Sequence, residues 1–307
     1  MWIKKNLFFF FVTTLLSMVS CTQEETIVVD NNKIPNYKIV STLRIENYVQ
    51  RIFIDVLGRD ATDIERISLT NQLKIAELHD SCRRKIIHLL LFDTLYRSGD
   101  SSYRHAFSQR IYDISKARYI EGAEDGVFWQ QIGILGFGIL VARLDGDSVK
   151  VHEYLDQQKM YSNVLSSKMR FRKNLIDYRQ MSSVMMNNPI YNVINMNSFN
   201  FVNASYDDAL LRKPSDDEFK RAYNIIEQNV PSPIFGKWAS NKNEFCTALT
   251  ESDAFHEAQI RWLYFVMVQR EPSNQEVIRL FKPYFSDHKI ESIIEEILIT
   301  DEYAQFY

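Results

Sequence analysis

The chain has 307 residues, a formal charge of −3, nine glycines, seven prolines and three cysteines. Few backbone breakers among many long side chains point to an all-α fold and away from a turn-rich β-sandwich, and the acidic balance argues against nucleic acid, which calls for a basic patch. Three cysteines are too few for a disulfide scaffold, and no CxxC or Cys/His spacing offers a metal site.

Residues 1–20 read as a signal peptide. Lys4 and Lys5 give a positive start, Asn6–Ser17 is almost wholly apolar, and Ser20 is a small residue directly before Cys21. The apolar run is short of the roughly 20 residues a bilayer span needs. With cysteine at the cleavage position the segment resembles a lipobox, although Met18 stands where that family more often has Leu. The resemblance implies a diacylglyceryl group on Cys21 Sγ and an acyl chain on its amine. Two or more chains hold a protein on a membrane stably. Loss of Lys4 and Lys5 on cleavage makes the charge about −5. Thr22-Gln23-Glu24-Glu25 resembles the acidic export tag of Bacteroidota-type lipoproteins, which implies the outer membrane and display at the cell surface rather than the periplasmic face. Residues 21–38 then read as a polar tether.

The body is organised around a motif that occurs three times. Phe53-Ile54-Asp55-Val56-Leu57-Gly58-Arg59-Asp60-Ala61-Thr62 leads to Glu65; Leu210-Leu211-Arg212-Lys213-Pro214-Ser215 leads to Glu218; Met267-Val268-Gln269-Arg270-Glu271-Pro272-Ser273 leads to Glu276. Thr62/Glu65, Ser215/Glu218 and Ser273/Glu276 each fit the capping box, in which the hydroxyl and the carboxylate satisfy each other's backbone amides. Pro214 and Pro272 are expected to end the preceding helix. The arginines are expected in its last turn, where positive charge offsets the helix dipole. Each motif is followed by an expected third helix, about Cys82–Arg97, Lys242–Glu257 and Ile290–Gln305. These share an apolar pair, an Asp and a hydrophobe, as in Leu298-Ile299-Thr300-Asp301-Glu302-Tyr303. The organisation expected is helical repeats at 39–98, 199–258 and 259–307, with a mostly helical insert at 99–198.

These phrases resemble the helical "LGR-x-P-T … L-x-S-x-E-F" repeat of uncharacterised bacterial envelope and surface-protein domains, which has a related form in phycobilisome linkers. Only the first copy keeps Leu-Gly-Arg. The resemblance implies scaffolding or assembly and brings no catalytic residues with it.

The insert carries an unusually apolar run over 127–142, which reads as a buried helix or a core-facing bend, with a second membrane span as the competing reading. Asp145-Gly146-Asp147-Ser148 reads as a turn and lacks the ligand count of a calcium loop. Lys168–Lys173 reads as a solvated helix face rather than a basic patch. Met181–Phe201, rich in Asn, Met and Tyr, reads as a polar loop leading to a helix; if it is instead a glycan-binding surface, Tyr191 and Asn195 are its candidate residues.

No GxSxG elbow, P-loop, GxGxxG or HxxxH pair is present, so no catalytic, cofactor-binding or metal residue is assigned and no cofactor is expected. His88, on an apolar helix, reads as a core residue, and Cys82 and Cys246 read as two unpaired thiols, with a disulfide as the alternative. The expected function is a lipid-anchored surface protein working by contact, with an envelope protein as partner. A glycan- or peptidoglycan-binding lipoprotein is the alternative, and an enzyme of unknown class comes third.

Overall fold

Local capping chemistry starts almost every helix. Ser41 accepts from the Arg44 amide and opens α1 (Thr42–Leu57), and Thr62 opens α2 (Asp63–Ile75). The following elements are α3 (Asp80–Phe92), α4 (Tyr103–Ile120), α5 (Asp125–Leu144), α6 (Ser148–Arg172), α7 (Tyr178–Met186), α8 (Pro189–Asn195) and α9 (Ser198–Leu210). Then come α10 (Asp216–Gln228), a hairpin of β1 (Ser232–Ile234) and β2 (Lys237–Ala239), α11 (Lys242–Thr250), α12 (Asp253–Val268), α13 (Asn274–Asp287), α14 (Ile290–Leu298) and α15 (Asp301–Ala304). The computed structural model describes residues 40–97 and 99–307, and these residues fall within one compact unit. The fold is all-α apart from the hairpin, whose turn residues Phe235 and Gly236 both have positive φ, the two-residue geometry that matches strand twist. The expected signal peptide, tether and Cys21 lie outside the described residues.

Capping boxes form at Thr62/Glu65, Ser215/Glu218 and Ser273/Glu276. The corner before each box differs from expectation. The helices do not run on to Pro214 and Pro272; they stop four residues earlier, at Leu210 and Val268, and the first copy likewise stops at Leu57. In each case the next residue turns left-handed: Gly58 at φ 74°, Leu211 at 56° and Gln269 at 61°. Arg59, Arg212 and Arg270 therefore stand outside the helix rather than in its last turn.

Two expected third helices are each two helices. Ser252 breaks the first by accepting from the Phe255 amide, and Thr300 breaks the second by accepting from Tyr303. The shared phrase is thus an N-cap that docks an aromatic side chain, Phe255 or Tyr303, in the core. The first expected third helix ends at Phe92, short of Arg97.

The last helices close on α1. Tyr48 Oη donates to the Leu298 carbonyl at 3.0 Å, Tyr303 Oη to Asp55 at 2.6 Å, and Arg51 to the Tyr303 carbonyl at 2.9 Å. From the insert, α4 packs on α1, α3, α6 and α7 and buries Phe107, Tyr112 and Tyr119. It is the central helix of the core rather than an appendage.

Candidate interaction surface

The three motif arginines share one geometry. Arg59, Arg212 and Arg270 each grip the capping-box glutamate with both terminal nitrogens, at 2.9 and 2.9 Å, 2.8 and 2.7 Å, and 2.9 and 2.6 Å. Each also donates to the carbonyl of the next residue. Burial pushes the Glu65 carboxyl up, but Arg59, the Thr62 amide and the Tyr103 hydroxyl outweigh it and hold the group at about 2. The Arg212 and Arg270 guanidinium groups, helped by the serine amides, hold Glu218 and Glu276 at about 2 as well. These carboxylates are fully engaged in closing corners, which is architecture.

Tyr191 and Asn195 are not a ligand surface. Both are buried: Tyr191 Oη donates to Asp208 at 2.8 Å, and Asn195 Nδ2 to the Tyr191 carbonyl at 2.9 Å. Nor is Met181–Phe201 a loop, because its asparagines start helices. Asn188 caps α8 ahead of Pro189, and Asn197 caps α9. His88 is exposed rather than in the core, 3.6 Å from Glu295. The buried histidine is His256, whose Nδ1 bonds the Ser252 carbonyl at 2.8 Å. Cys82 and Cys246 are both free, and burial pushes the Cys246 thiol up to about 12.

A cleft of about 360 Å³ lies between the ends of α3 and α6 and the α13–α14 corner. Glu291, which lines it, belongs to a buried ion pair that sequence reading missed, with Arg104 at 2.6 Å. Arg104 also bonds the carbonyls of Leu91 and Phe171 and the Asn174 side chain. Other polar groups around the cleft are likewise occupied: Asp177 caps α7, and Asp287 accepts from the Lys289 amide and Ser292 Oγ. A ligand there would have to displace existing bonds. Among the described residues no group of three or more His, Cys, Asp or Glu side chains is arranged to hold a metal.

The surface that stands apart is α5. The expectation of a buried helix fails: only Phe128, Leu135, Ile139 and Ala142 of it are buried, although by length and composition the helix could cross a membrane. From Gly126 to Ala142 it carries no charge. One face, Phe128, Ile132, Leu135, Ile139 and Ala142, packs against α6, where Gly138 lets Tyr154 approach to 3.0 Å of where a Cβ would stand. Gln158 of α6 donates to the Ile132 carbonyl at 3.1 Å and stitches the two helices together. The opposite face leaves Ile134, Phe137, Leu140 and Leu144 exposed by 56%, 69%, 55% and 80%. With Val127, Trp129 and Val141 these side chains leave roughly 800 Å² of apolar surface in water, beyond the 300–600 Å² of a typical monomer's largest patch. The turn at Asp145–Ser148 reverses the chain, with Gly146 at φ 73° and Asp147 capping α6.

Compared with known proteins, the chain matches no family model, no curated protein and no solved structure.

Proposed function

We propose that this protein is a lipid-anchored envelope protein, held at the outer membrane through Cys21, that works by protein–protein contact as a structural or accessory subunit of a surface assembly. The single observation that carries the contact reading is the uncharged, apolar outer face of α5. A helix apolar all round is covered by something, and α6 covers only one side of this one. A soluble monomer rarely tolerates so large a patch. The lipid anchor is supported by the sequence alone: a positive start, an apolar run and a small residue before Cys21. Anchoring raises the local concentration of the body at the membrane, so a contact surface of modest affinity suffices.

The test has two arms. Intact mass of the native protein is expected to show a chain beginning at residue 21 and carrying acyl groups, and Cys21→Ser to leave residues 1–20 attached. The double variant Ile134→Lys/Phe137→Glu is expected to remain folded and anchored yet to lose its stoichiometric protein partner on gentle solubilisation. An unmodified sulfur at Cys21 overturns the anchor; an undiminished partner in the double variant overturns the contact surface.

A further inference from the structure

We infer that the exposed face of α5 docks onto a second copy of this chain, as an antiparallel α5–α5 pair related by a two-fold axis. The inference rests on the contact reading above in taking α5 as the working surface, and adds the identity of the partner.

Two seams run along α5. The inner one, Phe128, Ile132, Leu135, Ile139 and Ala142, has the 4-3-4-3 spacing of a coiled coil and already packs an antiparallel helix, α6. The outer one, Val127, Gln130, Ile134, Phe137, Val141 and Leu144, runs 3-4-3-4-3 on the opposite side of the helix. That order reads the same in both directions. An antiparallel copy therefore sets Val127 against Leu144 of the second copy, Gln130 against Val141, and Ile134 against Phe137, with every contact made twice, as an isologous interface requires. The hole facing each Phe137 ring is bounded by Gln130, Gly133, Ile134 and Phe137. A Cβ at Gly133 would meet nothing within 4 Å, so the glycine leaves room for the ring.

Area agrees with this partner. The exposed apolar side chains of the outer seam amount to roughly 600 Å² per copy, the lower end of what each partner contributes to a stable interface. A lipid surface fits less well. Helices that lie in a bilayer interface carry Lys and Arg along a polar face, whereas the ends of α5 hold Glu124, Asp125, Asp145 and Asp147 beside a single arginine, Arg143.

The test is disulfide trapping of the full chain in intact cells, in a Cys82→Ser background that itself gives no dimer. Val127 and Leu144 are 17 residues apart on one helix, about 25 Å. Val127→Cys and Leu144→Cys expressed separately are expected to form no disulfide-linked dimer under mild oxidation. Co-expressed with different tags, they are expected to form a mixed dimer. Gly133→Leu fills the hole from a position whose Cβ meets nothing within 4 Å in its own monomer, and is expected to abolish the mixed disulfide while helix content and thermal midpoint hold or rise. Absence of the mixed disulfide, equal cross-linking by each single variant, or survival of the dimer in Gly133→Leu overturns the inference. If the mixed disulfide is absent while Phe137 still contacts a different protein, the contact reading stands and only the self-pairing falls.

Discussion

Arg59 grips Glu65 with both terminal nitrogens at 2.9 Å, and the same fork joins Arg212 to Glu218 and Arg270 to Glu276. The arginine closes each corner from outside the first helix onto the cap of the second. Arg59 and Arg270 go further, to Asp100 at 2.5 Å and to Glu302 at 2.6 Å. Those two forks tie neighbouring segments together, while Arg212 serves its own corner alone.

The forks make stability acid-sensitive. Glu65, Glu218 and Glu276 sit at about 2 in the folded chain, against roughly 4.3 unfolded. The unfolded chain binds more protons on acidification, so this stabilisation is present above about pH 4.3 and drains away as pH falls toward 2. The triple variant Glu65→Gln/Glu218→Gln/Glu276→Gln is expected to lower the thermal midpoint at pH 6 and to narrow the gap between pH 6 and pH 3. An unchanged gap would show that the forks contribute nothing.

Left-handed backbone at the three corners has a different cost at each. Gly58 adopts it freely, whereas Leu211 and Gln269 carry a Cβ in a region that strains L-residues. Leu211→Gly and Gln269→Gly are each expected to stabilise by up to about 1 kcal/mol in urea unfolding. Gly58→Ala is expected to destabilise by about as much or more, because its new Cβ also meets Arg110 Cδ at 3.2 Å.

The Arg104–Glu291 pair joins α4 to α14 with both side chains at most 5% exposed. Removing one partner leaves an uncompensated buried charge, so Glu291→Ala is expected to cost about 3–5 kcal/mol. Replacing both, Arg104→Met/Glu291→Leu, is expected to recover most of that loss. A double variant no better than Glu291→Ala would mean that the other bonds of Arg104 hold the structure.

Asp208 behaves oppositely to the corner glutamates. Burial raises its carboxyl to about 6, against the pull of the Tyr191 hydroxyl and Arg118. A raised carboxyl favours the fold below the unfolded value near 4, and that contribution is lost as pH rises through about 6. Asp208→Asn keeps an acceptor for Tyr191 and is expected to stabilise by on the order of 1–2 kcal/mol at pH 7.5 with little effect at pH 4. Equal stabilisation at both values would remove the ionisation argument.

What was legible in the sequence is what is decided within a few residues. The capping boxes at Thr62, Ser215 and Ser273 are local chemistry, and so are the helices they open. Ser252 and Thr300 carried the same signal inside phrases read as helix ends, and Asn188 and Asn197 carried it inside a stretch read as a loop. What was not legible depends on distant partners. The Arg104–Glu291 bond spans 187 residues of chain, and Tyr191 is buried because α9 folds back over it. The run at 127–142 was readable as helix, but its exposure follows from how little of the fold reaches it.

The most direct measurement is site-specific photo-cross-linking in intact cells, with a photoreactive phenylalanine placed at Phe137 and, as control, at the exposed Gln228. The account predicts a discrete protein adduct from position 137, absent from 228 and lost when Gly133 is replaced by Leu. Lipid adducts alone at 137, or the same adducts from both positions, would contradict it.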